Sequence, residues 1–336
     1  GMYAEIFNAV ENNIAIGTCS HAEGYATSAM GDYSHAEGKE TKASKERAHA
    51  EGYGTIAQGA VSHTEGVNTN ASGYCSHAGG VASQAIPYYS FAHGRELIAT
   101  DAESQAVFGR FNNIALASNN AFVIGNGSSD SERSNAFKVT TVGSVYCKGA
   151  YNNNGADYAE MFEWSDGNLE NEDRVGYFVT FDRTSDTKDK IRIANSNDKY
   201  ILGITSATPC VVGDNYSENW CRKYETDKFG RIIYETVTIT EEVEDEFGET
   251  TTIENQEKVP KISAEYSASE KYIPREERPE WATVGFVGKL LVYHDGTIKP
   301  GNKCKPNDEG IATLSTDGTG YYVMSIEDDV AKILLK

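Results

Sequence analysis

The chain has 336 residues, and its 50 Asp and Glu residues against 30 Lys and Arg residues give a formal net charge of −20. This charge argues against nucleic acid as a partner, because phosphate binding needs clustered Lys and Arg. No uninterrupted apolar run reaches the roughly 18 residues of a membrane-spanning helix. The six cysteines form neither a zinc pattern nor a dense disulfide framework.

A 14-residue repeat dominates the first part of the chain. Its most visible column is a row of histidines, namely His21, His35, His49, His63 and His77. The period is too short for a pair of helices and favours a solenoid coil of two short strands. Because the side chains of a strand alternate between its faces, the small residues of each coil are predicted to point inward, whereas His35 and Glu37 point outward.

The columns of Ala, Gly and Ser, with Ile14-Ala-Ile-Gly17 ahead of them, resemble the head of trimeric autotransporter adhesins over about residues 12–95. The resemblance implies a trimeric left-handed parallel β-roll, which we assign to residues 1–95. A narrow interior buries little apolar surface, so we expect other copies to supply the missing core in a homotrimer. The sequence shows neither a signal peptide nor a C-terminal membrane-barrel pattern, which argues against a secreted adhesin.

The histidine column admits two interpretations. Stacked coils would place successive imidazoles about 4.8 Å apart, and a glutamate two positions later shares their face, so a ladder of metal sites is conceivable. The alternative is a row of neutral imidazoles and carboxylates at a subunit interface. Ligand sets usually bring supporting residues with them and break the symmetry of a repeat, whereas this column obeys the symmetry. We therefore predict no metal site and no cofactor.

Residues 96–156 are predicted to form a β neck, because short β-type runs alternate there with turn residues. The neck ends in a turn-forming joint of three Asn and a Gly, just before Ala156. The acidic residues Asp157, Glu160 and Glu163 follow at once. On spacing alone, Asp157 is expected to cap a helix, and Glu160 to reach back to the cap from three positions later.

The stretch Gly-Ala-Asp-Tyr-Ala-Glu-Met-Phe-Glu-Trp, which starts at Gly155, resembles the C-terminal self-cleaving domain of phage tail spikes. The pattern is nearest to the domain that ends phage pre-neck appendage proteins, and stretches 284–290 and 294–312 are similar to it as well. The resemblance covers about residues 135–336. It implies an intramolecular chaperone of the glutamic peptidase type, which trimerises a spike and then cuts itself off. It also implies a place in a virion tail, after synthesis in the bacterial cytoplasm.

The same resemblance implies a scissile bond between Ala156 and Asp157, with Glu160 as the catalytic glutamate. One carboxylate can activate water as a general base while its neighbour donates a proton, and two nearby carboxylates push their pKa values apart. A strained loop held by the trimer would make cutting wait for assembly. The family has Ser where this chain has Ala156. If the reaction needs the serine hydroxyl, this domain is expected to be inert, because Ala156 has none. If Glu160 and water carry out the reaction, the domain is expected to be active.

The rest of residues 157–336, the expected auto-processing chaperone domain, is predicted to be β-rich. Beyond the cleavage motif, strand-like runs lie at 175–182, 201–205, 232–243, 250–258, 284–293 and 330–335. The third and fourth runs form a long hairpin, whose acidic tip at 244–249 is ascribed to solvation. His294 is given a structural role, and the cysteines are expected to be buried apolar residues.

Three functions are compatible with these features. The first is a phage or prophage tail-spike protein that assembles as a homotrimer and acts once as an endopeptidase on its own chain. The second is a structural trimer with an inert end domain, and the third is an adhesin that binds a host cell-surface receptor. No nucleotide-binding, Ser-His-Asp or zinc signature appears, so catalysis on an external substrate is disfavoured.

Overall fold

A computed structural model describes residues 4–7, 12–100, 102–114, 119–185, 189–216, 223–244 and 250–336. The chain forms two compact units, Gly1–Asn152 and Asn153–Lys336. The secondary structure of the described residues is almost entirely β, with two single-turn 3-10 helices at Asp130–Glu132 and Arg275–Glu277. The predicted all-β fold class is confirmed. No helix in these described ranges is long and apolar enough to cross a lipid bilayer.

The first unit is a β-solenoid. Its strands are β1 Glu5–Phe7, β2 Ile14–Ala15, β3 His21–Tyr25, β4 Ser28–Ala29, β5 His35–Lys39, β6 Lys42–Ala43, β7 His49–Ala50, β8 Ile56–Ala57, β9 His63–Thr64, β10 Asn70–Ala71, β11 His77–Val81, β12 Gln84–Ala85, β13 Phe91–Arg95, β14 Ile98–Ala99, β15 Ala106–Arg110, β16 Asn120–Asn126, β17 Asn135–Thr140 and β18 Val145–Cys147. Odd-numbered strands up to β15 form one parallel ladder, and even-numbered strands up to β14 form the other. Each coil of the repeat therefore gives one strand to each sheet.

The register of the first ladder follows the repeat residue for residue. His21 lies opposite His35, and Ala22 lies opposite Ala36. The inward positions are filled by small side chains, and both of these alanines are completely buried. Gly38 shows why the columns of glycine are needed: its φ is +100°, and a Cβ there would lie 2.2 Å from the carbonyl oxygen of Gly52 in the next coil. The tight spacing of the coils thus restricts these positions to the smallest residues.

The parallel ladder continues past residue 95, where the sequence suggested that a separate neck begins. Val107 pairs with Ala92 and in turn with Val123, and both valines are buried in the column that Ala22 begins. Insertions lengthen the last coils, and valine replaces alanine inside them, so the repeat becomes unrecognisable in sequence while the ladder persists. Only β17 and β18, which pair antiparallel, leave the solenoid pattern.

The second unit is built around one large mixed sheet and a separate hairpin. Its strands are β19 Asp157–Glu163, β20 Phe178–Phe181, β21 Ile191–Ile193, β22 Gly203–Thr205, β23 Val211–Gly213, β24 Tyr234–Glu244, β25 Thr250–Pro260, β26 Trp281–Tyr293, β27 Lys303–Pro306, β28 Ala312–Leu314, β29 Tyr321–Glu327 and β30 Val330–Leu335. The long strand β26 lies centrally and pairs with β19, β22 and β30. The predicted hairpin is formed by β24 and β25, and most of its expected acidic tip, at 245–249, lies outside the described residues.

Two expectations about the second unit and the cysteines are wrong. Asp157 begins a strand and caps no helix, because its chain segment fits between β23 and β26 as part of the large sheet. Of the five cysteines that the structure describes, Cys304 is buried, whereas Cys19 and Cys147 are exposed; Cys221 lies outside the described residues. His294 is half-buried, and its ring accepts a hydrogen bond from the backbone N–H of Gly296.

Candidate cleavage site

The strand β19 carries both acidic residues of the predicted site. Its burial alternates, with Asp157, Ala159 and Met161 buried and Tyr158 exposed between the first two. This two-residue period is that of a sheet with one covered face. The side chains of Asp157 and Glu160, three positions apart, therefore leave the strand in opposite directions.

Neighbouring glycines confirm that the two carboxylates lie on opposite faces. A Cβ at Gly285 of β26 would meet the Asp157 Oδ2 atom at 2.5 Å, whereas a Cβ at Gly213 of β23 would meet the Glu160 Cγ atom at 3.1 Å. The structure thus does not bring Asp157 and Glu160 of one chain together. The expectation that the two carboxylates shift each other's pKa is wrong within a single chain, because their side chains lie on opposite faces of β19.

Asp157 is a buried carboxyl with one unsatisfied oxygen. The residue is only 4% exposed, and its Oδ2 atom has no hydrogen-bond partner. Burial raises the pKa of Asp157, and a hydrogen bond with the Ser206 side chain opposes that rise. A carboxyl of this kind holds its proton at a higher pH than an exposed one, so it can serve as a proton donor.

The predicted scissile segment is fixed at both ends by one residue. The Asn153 side-chain amide donates to the Cys210 carbonyl oxygen at 2.7 Å, and the Cys210 backbone N–H donates to the Asp157 carbonyl oxygen at 2.8 Å. Between these contacts the chain packs so closely that a Cβ at Gly155 would lie 2.5 Å from the Cys210 nitrogen. No residue from Asn153 to Asp157 has a positive φ. The expected strained loop is therefore not seen, and the segment is held by packing and hydrogen bonds.

The carbonyl of Ala156 lies where a side chain is missing on β26. The Lys289 backbone N–H donates to the Ala156 oxygen at 3.3 Å, and a Cβ at Gly288 would lie 2.2 Å from that oxygen. Gly288 has a φ of +125°, so both its conformation and its lack of a side chain allow this approach. Lys289 and Lys332 line the cleft around the Ala156–Asp157 bond. The Lys289 backbone N–H is a donor that can stabilise the oxyanion formed when this carbonyl is attacked.

Glu160 lies in a different environment on the other face of β19. The Tyr158 hydroxyl donates a hydrogen bond to the Glu160 Oε1 atom at 2.8 Å, and this bond raises the pKa of Tyr158. Val211 and Val287, which pair with Tyr158 on the two adjacent strands, are 44% and 55% exposed. The carboxylate of Glu160 is thus oriented by a neighbour and bordered by exposed apolar side chains.

Several residues of the site were not identified by the sequence analysis. Ser206 contacts the Asp157 carboxyl, Cys210 holds the scissile segment, and Gly285 and Gly288 make room for it. They lie far along the chain from Asp157, and serine, cysteine and glycine carry no distinctive spacing here. The one available signal was the Gly-Phe-Val-Gly pattern at 285–288, which places two glycines in an otherwise apolar strand.

The raised pKa of Asp157 predicts a pH-dependent stability difference. A carboxyl whose pKa is higher in the folded state than in the unfolded state contributes to the stability of the fold. This contribution is fully present at a pH below the unfolded-state pKa, and it is lost as the pH rises through the folded-state pKa. We therefore expect Asp157→Asn to unfold at a higher urea concentration than the parent at about pH 7, with the advantage shrinking towards about pH 4. Tryptophan fluorescence reports on this unit, because all three tryptophans follow residue 156.

The measurement should be made in a Glu160→Gln background, so that cleavage does not differ between the two proteins. An equal urea midpoint for both proteins at every pH would contradict the assignment of a buried, proton-retaining carboxyl at position 157.

Comparisons with known proteins identify a family and several relatives. Residues 107–332 match the family model Peptidase_G2, described as the IMC autoproteolytic cleavage domain. The pre-neck appendage protein of Bacillus phage B103 is 36% identical over 189 residues, which cover 55% of this chain and 19% of that protein. The putative phage-related protein YobO of Bacillus subtilis is 34% identical over 180 residues, which cover 53% and 20%.

A solved structure shows the same fold over the whole chain. The pre-mature gene product 12 of bacteriophage phi29 superposes with a TM-score of 0.62 at 21% identity, covering 100% of this chain and 40% of that one. The chain spans about a fifth of the length of the curated relatives it matches. Because the family model matches about two thirds of the sequence, the chain belongs to the Peptidase_G2 family, the IMC autoproteolytic cleavage domain.

Proposed function

We propose that the chain is part of a phage appendage protein of the virion, and that its C-terminal unit cuts the backbone between Ala156 and Asp157. Similarity to pre-neck appendage proteins supports the first part. The observation that carries the second is the pair of hydrogen bonds by which Cys210 holds both ends of the segment, beside a buried carboxyl. Fixing a peptide bond next to its catalytic groups removes the entropy cost of binding a substrate.

The proposed reaction is hydrolysis with the chain as its own substrate. Glu160 takes a proton from water, and the resulting hydroxide adds to the carbonyl carbon of Ala156. The C–N bond then breaks, and the Asp157 carboxyl gives its proton to the leaving nitrogen of its own backbone. The new carboxylic acid of Ala156 then passes its proton to the new amino group of Asp157, so the products are a carboxylate and an ammonium group. This route needs no hydroxyl at position 156, so the alanine there is compatible with activity.

Glu160 faces away from Asp157 of its own chain, so we assign its action to the scissile bond of an adjacent copy in a homotrimer. The exposed side chains of Tyr158, Val211 and Val287 beside Glu160 support a subunit contact on this face, because exposed apolar patches favour protein interfaces. The narrow interior of the roll, filled by alanines, supports the same oligomeric state. Cutting would then wait for assembly, since a lone chain would lack its base.

Co-expression of two tagged variants tests action between chains. A Glu160→Gln chain keeps an intact scissile bond, and an Asp157→Asn chain keeps an intact base. Each variant alone is expected to stay uncut, whereas mixed assemblies should release fragments of the Glu160→Gln chain only. If light scattering shows that mixed trimers form and neither chain is cut in them, action between subunits is contradicted. An uncut wild type would instead favour the inert structural trimer.

A further inference from the structure

The repeat of the solenoid breaks at one point of its outward face. The glutamate column runs through Glu23, Glu37 and Glu51 to Glu65, and the next two coils replace it by Gly79 and His93. Gly79 lies directly opposite His93 in the ladder between β11 and β13. Three successive coils therefore present a carboxylate, no side chain, and an imidazole in one column. The part of the sequence argument that rested on the symmetry of the repeat does not apply at this break.

The missing side chain at Gly79 allows Glu65 to reach His93 across an intervening strand. The Glu65 Oε1 atom lies 3.4 Å from His93 Nδ1 and 3.5 Å from His77 Nε2. A Cβ at Gly79 would lie 2.4 Å from His93 Nδ1 and 3.0 Å from Glu65 Oε1. The glycine is thus the reason that these two groups can approach each other.

The distances fit the edges of a tetrahedral metal site. Zinc bound to imidazole nitrogen and carboxylate oxygen at its usual bond lengths separates neighbouring ligand atoms by about 3.3–3.6 Å. Both measured edges from Glu65 fall in this interval, and the three donor atoms of Glu65, His77 and His93 all lie within 4.8 Å of one another. Rotation of the half-exposed His93 side chain can shorten the remaining edge.

The aromatic neighbour of His77 restricts the movement of this proposed ligand. The ring of Phe91 stacks on His77 with centroids 4.7 Å apart and an interplanar angle of 16°, which limits rotation of that imidazole.

We propose that Glu65, His77 and His93 form a binding site for a divalent transition metal ion, with Zn²⁺ the ion that the ligand set and spacing fit best. Two imidazoles and one carboxylate are typical ligands of Zn²⁺ and leave a fourth position for water. The ion would join three successive coils where the regular column ends. Its role would be to stabilise the solenoid at this break, by binding the folded chain and not the unfolded one.

Two other clusters on the same face are weaker candidates. The group Glu37, His49 and Glu51 offers one imidazole against two carboxylates, and His49 Nε2 is 4.0 Å from Glu37 Oε1. The group of His21, Glu23 and His35 lies within the regular repeat, and its closest contact joins His21 to Glu23 of the same strand. Among the three groups found in the described residues, the one at the break alone combines two imidazoles with a carboxylate from three different coils.

The test uses the full chain without a polyhistidine tag, freed of metal by a chelator and titrated with Zn²⁺ and with Co²⁺. Calorimetry should show one tight site per chain, and Co²⁺ should give the visible absorption of tetrahedral coordination. Glu65→Gln and His93→Ala should each weaken binding by more than about 100-fold, because the loss of even an outer-shell partner costs about 10- to 100-fold. Zn²⁺ should raise the melting temperature of the wild type and of neither variant.

Two further variants separate the site from the rest of the column. Glu51→Gln removes a carboxylate one coil away and should bind Zn²⁺ as the wild type does. Gly79→Ala leaves all three ligands in place but puts a methyl group between Glu65 and His93, so it should weaken binding while melting normally without metal. Absence of a tight site in the wild type, or equal loss in Glu51→Gln and Glu65→Gln, would overturn the proposal.

Discussion

Glu160→Gln is expected to leave the chain uncut. Glutamine keeps the size of the side chain and can still accept the hydrogen bond from Tyr158, but it cannot take a proton from water. Loss of a general base typically lowers a rate by about 100- to 10,000-fold. The fragments 1–156 and 157–336 should therefore be missing from a denaturing gel over the time in which the wild type is fully cut.

Glu163→Gln is the matched control for this experiment. Glu163 lies on the same strand, and its carboxylate pairs with Lys190 at 2.7 Å. Loss of a partly exposed ion pair costs little stability, and this residue does not contact the scissile segment. The variant should cut at the wild-type rate. If Glu160→Gln also cuts at that rate, Glu160 is not the base.

Ala57→Leu is expected to destabilise the solenoid strongly. Ala57 of β8 is completely buried and lies between Ala43 and Ala71 of the adjacent coils. The buried cluster around this coil contains only alanines, so leucine has no space without movement of the backbone. We expect a loss of about 3 kcal/mol, the upper end of the usual range for overpacked cores.

The damage should be local, because each coil of a solenoid contacts only its neighbours. The rate of hydrogen exchange should rise in the coils around residue 57. The second unit, followed by its tryptophan fluorescence, should keep its urea midpoint of unfolding. Gln58→Leu adds the same side chain at the adjacent exposed position and should change stability by no more than about 0.5 kcal/mol. Equal effects of the two variants would contradict an inward-facing alanine column.

The solenoid was predictable because its repeat determines both the register of neighbouring strands and the residues that face the interior. A fixed period places identical residues opposite each other, as with His35 and His49, and alternation then assigns the small residues to the interior. The end of the solenoid was not predictable from the same columns. Val107 and Val123 fill the interior after insertions have changed the period, and pairing between backbones does not need identical side chains.

The location of the cleavage motif was predictable by resemblance, but its geometry was not. Spacing alone suggested a helix that starts at Asp157, because an aspartate followed by a glutamate three positions later also occurs in capping boxes. The strand forms instead because β26 and β23 offer partners along both edges, which are contacts distant in sequence. That outcome decides the chemistry, since a strand sends Asp157 and Glu160 to opposite faces.

The residues that hold the proposed scissile segment show the same limit. Ser206 and Cys210 follow Asp157 by about 50 residues along the chain. Nothing in their local sequence indicates that a loop before β23 meets the start of β19. Contacts of this kind depend on the tertiary fold. The resemblance to the self-cleaving domain indicated only the site residues that lie inside the cleavage motif.

The most direct test of the account is the intact mass of the purified wild-type protein, followed over time under assembling conditions. Self-cleavage at the proposed bond yields two products, residues 1–156 and residues 157–336, the second with Asp157 as its new amino terminus. Persistence of a single species of 36.6 kDa, in a sample that light scattering shows to be fully trimeric, would contradict self-cleavage between Ala156 and Asp157.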